Sequence, residues 1–163
     1  MMRLLAMVAS GVVLMLVAAT QAPSHLRLPV SAVVLDGKVT QPFGCTSLLL
    51  EPFDRDCPTH HIHTGIDLAA PLGSPVYSAT AGRVIADYDA DGAGDYVKVV
   101  VDAHTWVLYG HLSAFRVASG DLVAPGQLIG LVGATGLATG PHVHLQVDVD
   151  RVPVDPVWFL SSS

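Results

Sequence analysis

From Lys38 onward the chain is cut into short apolar, β-branched runs by glycine, proline and aspartate. Runs of that length, bounded by residues with turn chemistry, point to an all-β fold. Half of the residues are hydrophobic (51%) and only 13% are charged, so the chain can bury a core and is not disordered. Its 163 residues suffice for one domain. The formal charge of −6 argues against nucleic acid as a partner, because phosphate binding needs a basic surface.

Residues ahead of this region read as a targeting segment. Met1-Met2-Arg3 is a short positive start, Leu4 to Ala19 is an uncharged apolar run, and Ala18 to Ala22 supplies small residues. The pattern predicts a secretory signal peptide over 1–22, cut after Ala22 or Ala19, with an uncleaved anchor as the alternative. Residues 23–35 read as a linker or an extended lead-in, 36–160 as the folded domain and 161–163 as a frayed tail. The expected location is therefore secreted or in the cell envelope. Cys45 and Cys57 are the only cysteines. In an oxidising compartment such a pair predicts a disulfide, and no Cys-x-x-Cys spacing favours a metal instead.

Three stretches carry candidate chemistry. In Gly140-Pro141-His142-Val143-His144 a strand would place His142 and His144 on one face. In His63-Thr64-Gly65-Ile66-Asp67 a tight bend at Gly65 would let His63 and Asp67 converge. Imidazole and carboxylate are both good zinc ligands. Tyr109-Gly110-His111-Leu112 ends an apolar strand that starts at Thr105, and a lone histidine there is usually structural.

Other readings fit less well. Asp87, Asp89, Asp91 and Gly92 match the start of a calcium loop, but Lys98 stands at the closing acid position and the flanks read as strands. A hairpin turn is the better account. Gly133 to Gly140 lacks the Gly-Lys-Ser/Thr ending of a phosphate cradle. Leu48-Leu49-Leu50 reads as a helical turn or a patch over the core, and 114–120 as a connection with one helical turn. Gly82–Ala86 and Gly126–Gly130 hint at an internal repeat, and two similar halves would wrap into a barrel-like sandwich. A carrier barrel would need a lysine at a hairpin tip, whereas Lys98 lies inside a strand and Lys38 begins one.

Taken in order, His63 to Asp67 with Ala70 to Val76, Tyr109 to Ser113, Pro125 to Gly130 and Thr139 to His144 resemble the lysostaphin-type (LytM-like) zinc endopeptidases that cut peptidoglycan peptides. The resemblance runs from Val39 to Leu160. It implies an antiparallel β-sandwich, or barrel-sandwich hybrid, with the site in a groove on one sheet. It implies one zinc ion held by His63, Asp67 and His144, with His111 and His142 as the catalytic pair. The expected activity is hydrolysis of stem or cross-link peptides by a monomer, with no nucleic acid and no membrane beyond the signal segment. A catalytically silent relative that binds the wall or activates a hydrolase is the alternative.

The sequence departs from the family pattern at Leu145 and Gln146, where Phe and Glu are usual. Both changes are expected to be tolerated, since neither position is an inferred metal ligand or catalytic residue; the alternative is that losing a carboxylate at Gln146 removes a partner that orients a ligand. His61 is a candidate substrate contact, with an exposed loop histidine as the other reading for it and for His60. His25 and His104 read as incidental.

Overall fold

The computed structural model describes residues 26–161. Twelve strands form the framework: β1 Lys38–Gln41, β2 Gly44–Thr46, β3 His61–His63, β4 Ile66–Ala69, β5 Pro75–Tyr77, β6 Gly82–Asp89, β7 Gly94–Val100, β8 Thr105–Phe115, β9 Leu122–Val123, β10 Leu128–Val132, β11 His142–Val149 and β12 Val152–Val154. One helical turn, α1 Pro156–Ser161, follows them. All pairings are antiparallel. The expected all-β, antiparallel architecture is what forms.

The main sheet runs β1-β4-β11-β8-β7-β6-β9. The long strand β8 closes the structure on itself. Its first part lies between β7 and β11, and its last residues turn to pair β10, which also pairs β5. A separate two-stranded ribbon joins β2 to β3. The two Gly-led runs become β6 and β10, which pair different neighbours.

Strand alternation separates the core from the groove. On β11, Val143, Leu145 and Val147 are buried, while His142, His144 and Gln146 point the other way and are half-buried. On β4, Ile66 and Leu68 are buried and Asp67 shares the outer face. Inner residues of the main sheet pack against Val76, Ile129, Val132, Phe159 and Leu160. The last two come from α1, whose start is set by Asp155 capping the Val157 N–H at 2.8 Å and by Pro156 in the first turn.

Residues 27–34 are part of this core rather than a linker. Val33 and Val34 are fully buried, the Tyr77 N–H donates to the Val33 carbonyl at 2.8 Å, and Arg27 stacks over the Phe159 ring at 3.9 Å. The segment is too short and irregular to show a strand pattern, and its burial comes from contacts distant in sequence. The expected signal peptide over 1–22 lies outside the described residues. Among the described residues, no helix is long and apolar enough to cross a membrane.

Cys45 and Cys57 form the expected disulfide, with Cα atoms 5.4 Å apart. It staples the loop between β2 and β3. Leu48, Leu49 and Leu50 stay exposed and do not cover the core. Residues 114–120 hold no helical turn, because β8 continues through Phe115. Replacing both cysteines by serine should lower unfolding free energy by about 3 kcal/mol, as expected for releasing a loop of this size. Urea unfolding of the double variant against the parent protein measures it.

Candidate metal centre

Three elements bring His63, Asp67 and His144 together. Asp67 and His144 sit directly opposite each other on the paired strands β4 and β11. His63 ends β3, and the bend at Thr64-Gly65 turns the chain back so that its ring meets theirs. Glycine is required there, since a Cβ at Gly65 would lie 2.8 Å from His144 Cε1 and 2.9 Å from its Nε2. Asp67 Oδ1 lies 3.2 Å from His63 Nε2 and 3.1 Å from His144 Nδ1, and the two nitrogens are 3.1 Å apart.

Hydrogen bonds on the far side of each ring fix what points inward. His63 Nδ1–H donates to the Pro42 carbonyl at 2.9 Å, leaving the Nε2 lone pair facing the centre. His144 Nε2–H donates to Gln146 Oε1 at 3.3 Å, leaving the Nδ1 lone pair inward. Two nitrogen lone pairs and a carboxylate oxygen thus converge with no donor among them, an arrangement that calls for a cation. Tetrahedral zinc, with ligand bonds of about 2.0–2.1 Å, sets its donors about 3.3 Å apart, close to all three separations. Among the described residues this is the one group of three that fits a metal. The residues present therefore fit one zinc ion.

Without a cation, a proton must bridge the same atoms. Burial alone would push the Asp67 carboxyl up, but hydrogen bonds from His144 and His63, and their charge, hold it below the usual carboxylate range. Burial opposes protonation of His63, yet Asp67 and the Pro42 carbonyl outweigh it and raise that residue. Proton and metal compete for one centre, so acid should release zinc.

His111 and His142 lie beside this centre, ring to ring at 4.6 Å. His111 reaches the groove through a bulge. One residue of β7, Tyr96, faces both Gly110 and His111 of β8, and His111 adopts a left-handed φ of 60°. The extra residue turns His111 out of the core, where Val107 and Tyr109 of the same parity point. His111 thus lies within the strand and not at its end. The loop over 133–141 supplies the supports. His111 Nδ1–H donates to the Thr135 carbonyl at 2.7 Å, and His142 Nδ1–H to the Gly140 carbonyl at 2.8 Å. Both rings are left with a free Nε2, and that of His142 lies 3.7 Å from Asp67 Oδ1. The carbonyls of Pro42, Thr135 and Gly140 have no sequence signature, since any residue carries one.

Burial, helped by the nearby His142 and His144 imidazoles, pushes His111 down to about 4. Between that value and the ordinary 6.5, the unfolded chain binds a proton here that the folded chain does not. This contribution to stability is complete above pH 6.5 and is lost as pH falls through about 4. His63 acts in the opposite sense: its contribution is complete below 6.5 and is lost as pH rises through its raised value. In zinc-stripped protein, His111→Gln should flatten the fall in urea midpoint between about pH 7 and about pH 4.5.

The centre opens into a groove of about 450 Å³. Leu48, Leu50, Glu51 and Pro52 of the stapled loop form one wall, and Asp89, Asp91 and Leu137 line it elsewhere. His61 is not among the lining residues: its Nδ1–H donates to the Glu51 carbonyl at 2.8 Å, which supports the wall. His60 stacks on Phe53, and His104 pairs with Asp150 on the surface. The Asp89 carboxylate accepts the Asp91 N–H in the hairpin turn, as turn chemistry predicts.

Comparison with known proteins agrees with this geometry. The family model described as Peptidase family M23 matches residues 61–156. The DD-carboxypeptidase/endopeptidase Mpg of Neisseria meningitidis serogroup B is 42% identical over 61% of this chain and 23% of its own length. The peptidoglycan DD-endopeptidase ShyB of Vibrio cholerae is 44% identical over 57% of this chain and 22% of its own. The chain thus spans about a quarter of the length of these relatives. Among solved structures, a zinc-containing peptidase from Vibrio cholerae superposes with a TM-score of 0.66 at 34% identity, over 80% of this chain and 38% of that one. The catalytic domain of lysostaphin from Staphylococcus simulans does so at 0.65 and 30% identity, covering 78% of this chain and 94% of the domain. A match that begins at the strand bearing His63 and ends at the first residue of α1 takes in every donor of the centre, and the chain belongs to peptidase family M23.

Proposed function

We propose that the protein is an extracytoplasmic zinc endopeptidase that hydrolyses stem or cross-link peptides of peptidoglycan. The observation that carries this is the pair of imidazoles, His111 and His142, standing beside a three-donor centre in an open groove. Three protein donors leave a fourth position for a reactant, as catalytic rather than structural zinc requires. Zinc there supplies a Lewis acid toward water and a carbonyl oxygen.

The chain's own residues supply the proton chemistry. His111, neutral above about pH 4, offers its Nε2 lone pair to the groove. His142 offers its Nε2 beside it, with its ring held by the Gly140 carbonyl. Between them they take a proton from the attacking water, then return one to the leaving amine or hold the developing oxyanion. Thr135 and Gly140 prevent either ring from turning away.

ShyB is named a peptidoglycan DD-endopeptidase and Mpg a DD-carboxypeptidase/endopeptidase, which supports the substrate class. The disulfide supports an oxidising, extracytoplasmic setting. All five side chains come from one chain, so a monomer suffices. The test is digestion of purified peptidoglycan, with released fragments read by mass spectrometry. New peptide amino termini should appear, vanish on chelation and return with zinc. Zinc-loaded protein that releases none from walls of differing cross-link chemistry would overturn the reading.

A further inference from the structure

We infer that Gln146 is a positioning residue for the metal ligand His144, and that it works only as a polarity-matched pair with Asp148. The inference rests on the zinc site proposed above. His144, Gln146 and Asp148 follow at every second residue of β11. Gln146 Oε1 accepts from His144 Nε2–H at 3.3 Å and from the Thr64 hydroxyl at 2.7 Å. Its amide nitrogen donates to Asp148 Oδ2 at 2.7 Å, and Asp148 is only 4% exposed.

An amide has two orientations, and Asp148 selects between them. A carboxylate accepts hydrogen bonds, so the amide NH₂ must face Asp148 and the carbonyl must face His144. In the flipped orientation the NH₂ would meet His144 Nε2. That nitrogen would then have to carry the lone pair, and the proton would move to Nδ1, into the metal centre. Asp148 therefore determines, through Gln146, which nitrogen of His144 is free for zinc. Thr64, on the bend that carries His63 to Asp67, holds the same oxygen and ties the orientation to the other two ligands.

The matching explains why a carboxylate at this position would not serve this chain. Gln146→Glu alone would set two carboxylates at hydrogen-bond distance with no donor between them, and their repulsion would push the new side chain out of line with His144. Asp148→Asn alone would remove the group that orients the amide. Combined, the two changes restore one donor and one acceptor, with the carboxylate now next to His144.

The experiment is zinc affinity of the metal-free protein by chelator competition, for the parent, Gln146→Glu, Asp148→Asn and the double variant. Each single change should weaken zinc binding by roughly 10–100-fold, the usual effect of losing an orienting partner. The double variant should return to the parent value or beyond. Single variants within about twofold of the parent, or a double variant no better than the weaker single, would overturn the inference. Should Asp148→Asn not fold, Gln146→Met is read alone, and unchanged affinity would overturn it equally. A parent protein that binds no zinc would instead refute the zinc site itself.

Discussion

Replacing His144 by alanine should reduce bound zinc from about one ion per chain to near none and bring peptide hydrolysis down to background. The centre has three donors, and His144 Nδ1 is 3.1 Å from both others. Its loss leaves one imidazole and one carboxylate, too few to retain zinc through dialysis. The fold should survive, because the inner face of β11 is Val143, Leu145 and Val147, which the substitution does not touch. Circular dichroism of the variant should match the metal-free parent, which separates loss of metal from loss of structure. His63→Ala should remove zinc as well, with an added cost to folding. That ring is fully buried and anchors to the Pro42 carbonyl across the stapled ribbon.

Alanine at His111 or at His142 should have the opposite signature. Zinc should stay at about one per chain while kcat falls by about 10²–10⁴, the usual worth of a positioned acid or base. Neither ring donates a lone pair to the three-donor centre. Each is fixed by a backbone carbonyl on its Nδ1 side and presents Nε2 to the groove. KM should move little in comparison, because the proposed function has the rings act on reacting atoms and not on substrate binding at the walls. Steady-state kinetics beside metal analysis on the same preparations reads both quantities.

The ligand pattern was legible because alternation is a local rule. His142 and His144 had to share a face, and the bend at Gly65 had to bring His63 toward Asp67. The same rule misplaces His111. Counting by twos from Val107 and Tyr109 puts it in the core, and only the extra residue at Gly110-His111 turns it outward. A left-handed histidine leaves no mark in a single sequence, so its groove position came from family resemblance and not from the pattern. The burial of Val33 and Val34 was hidden for a related reason. It depends on β5 and on the closing helical turn, far along the chain. The substitution at Gln146 was legible as a departure from the family, but not its consequence. Its consequence rests on side-chain hydrogen bonds that no sequence pattern marks: the amide oxygen meets Thr64 and His144, and the amide nitrogen donates to Asp148.

The proposed function rests on a division of labour among the four histidines. It is tested most directly by zinc analysis of His111→Ala and His144→Ala, purified and dialysed side by side. The first should keep zinc and lose hydrolysis, and the second should lose both. Metal missing from His111→Ala and present in His144→Ala would contradict it.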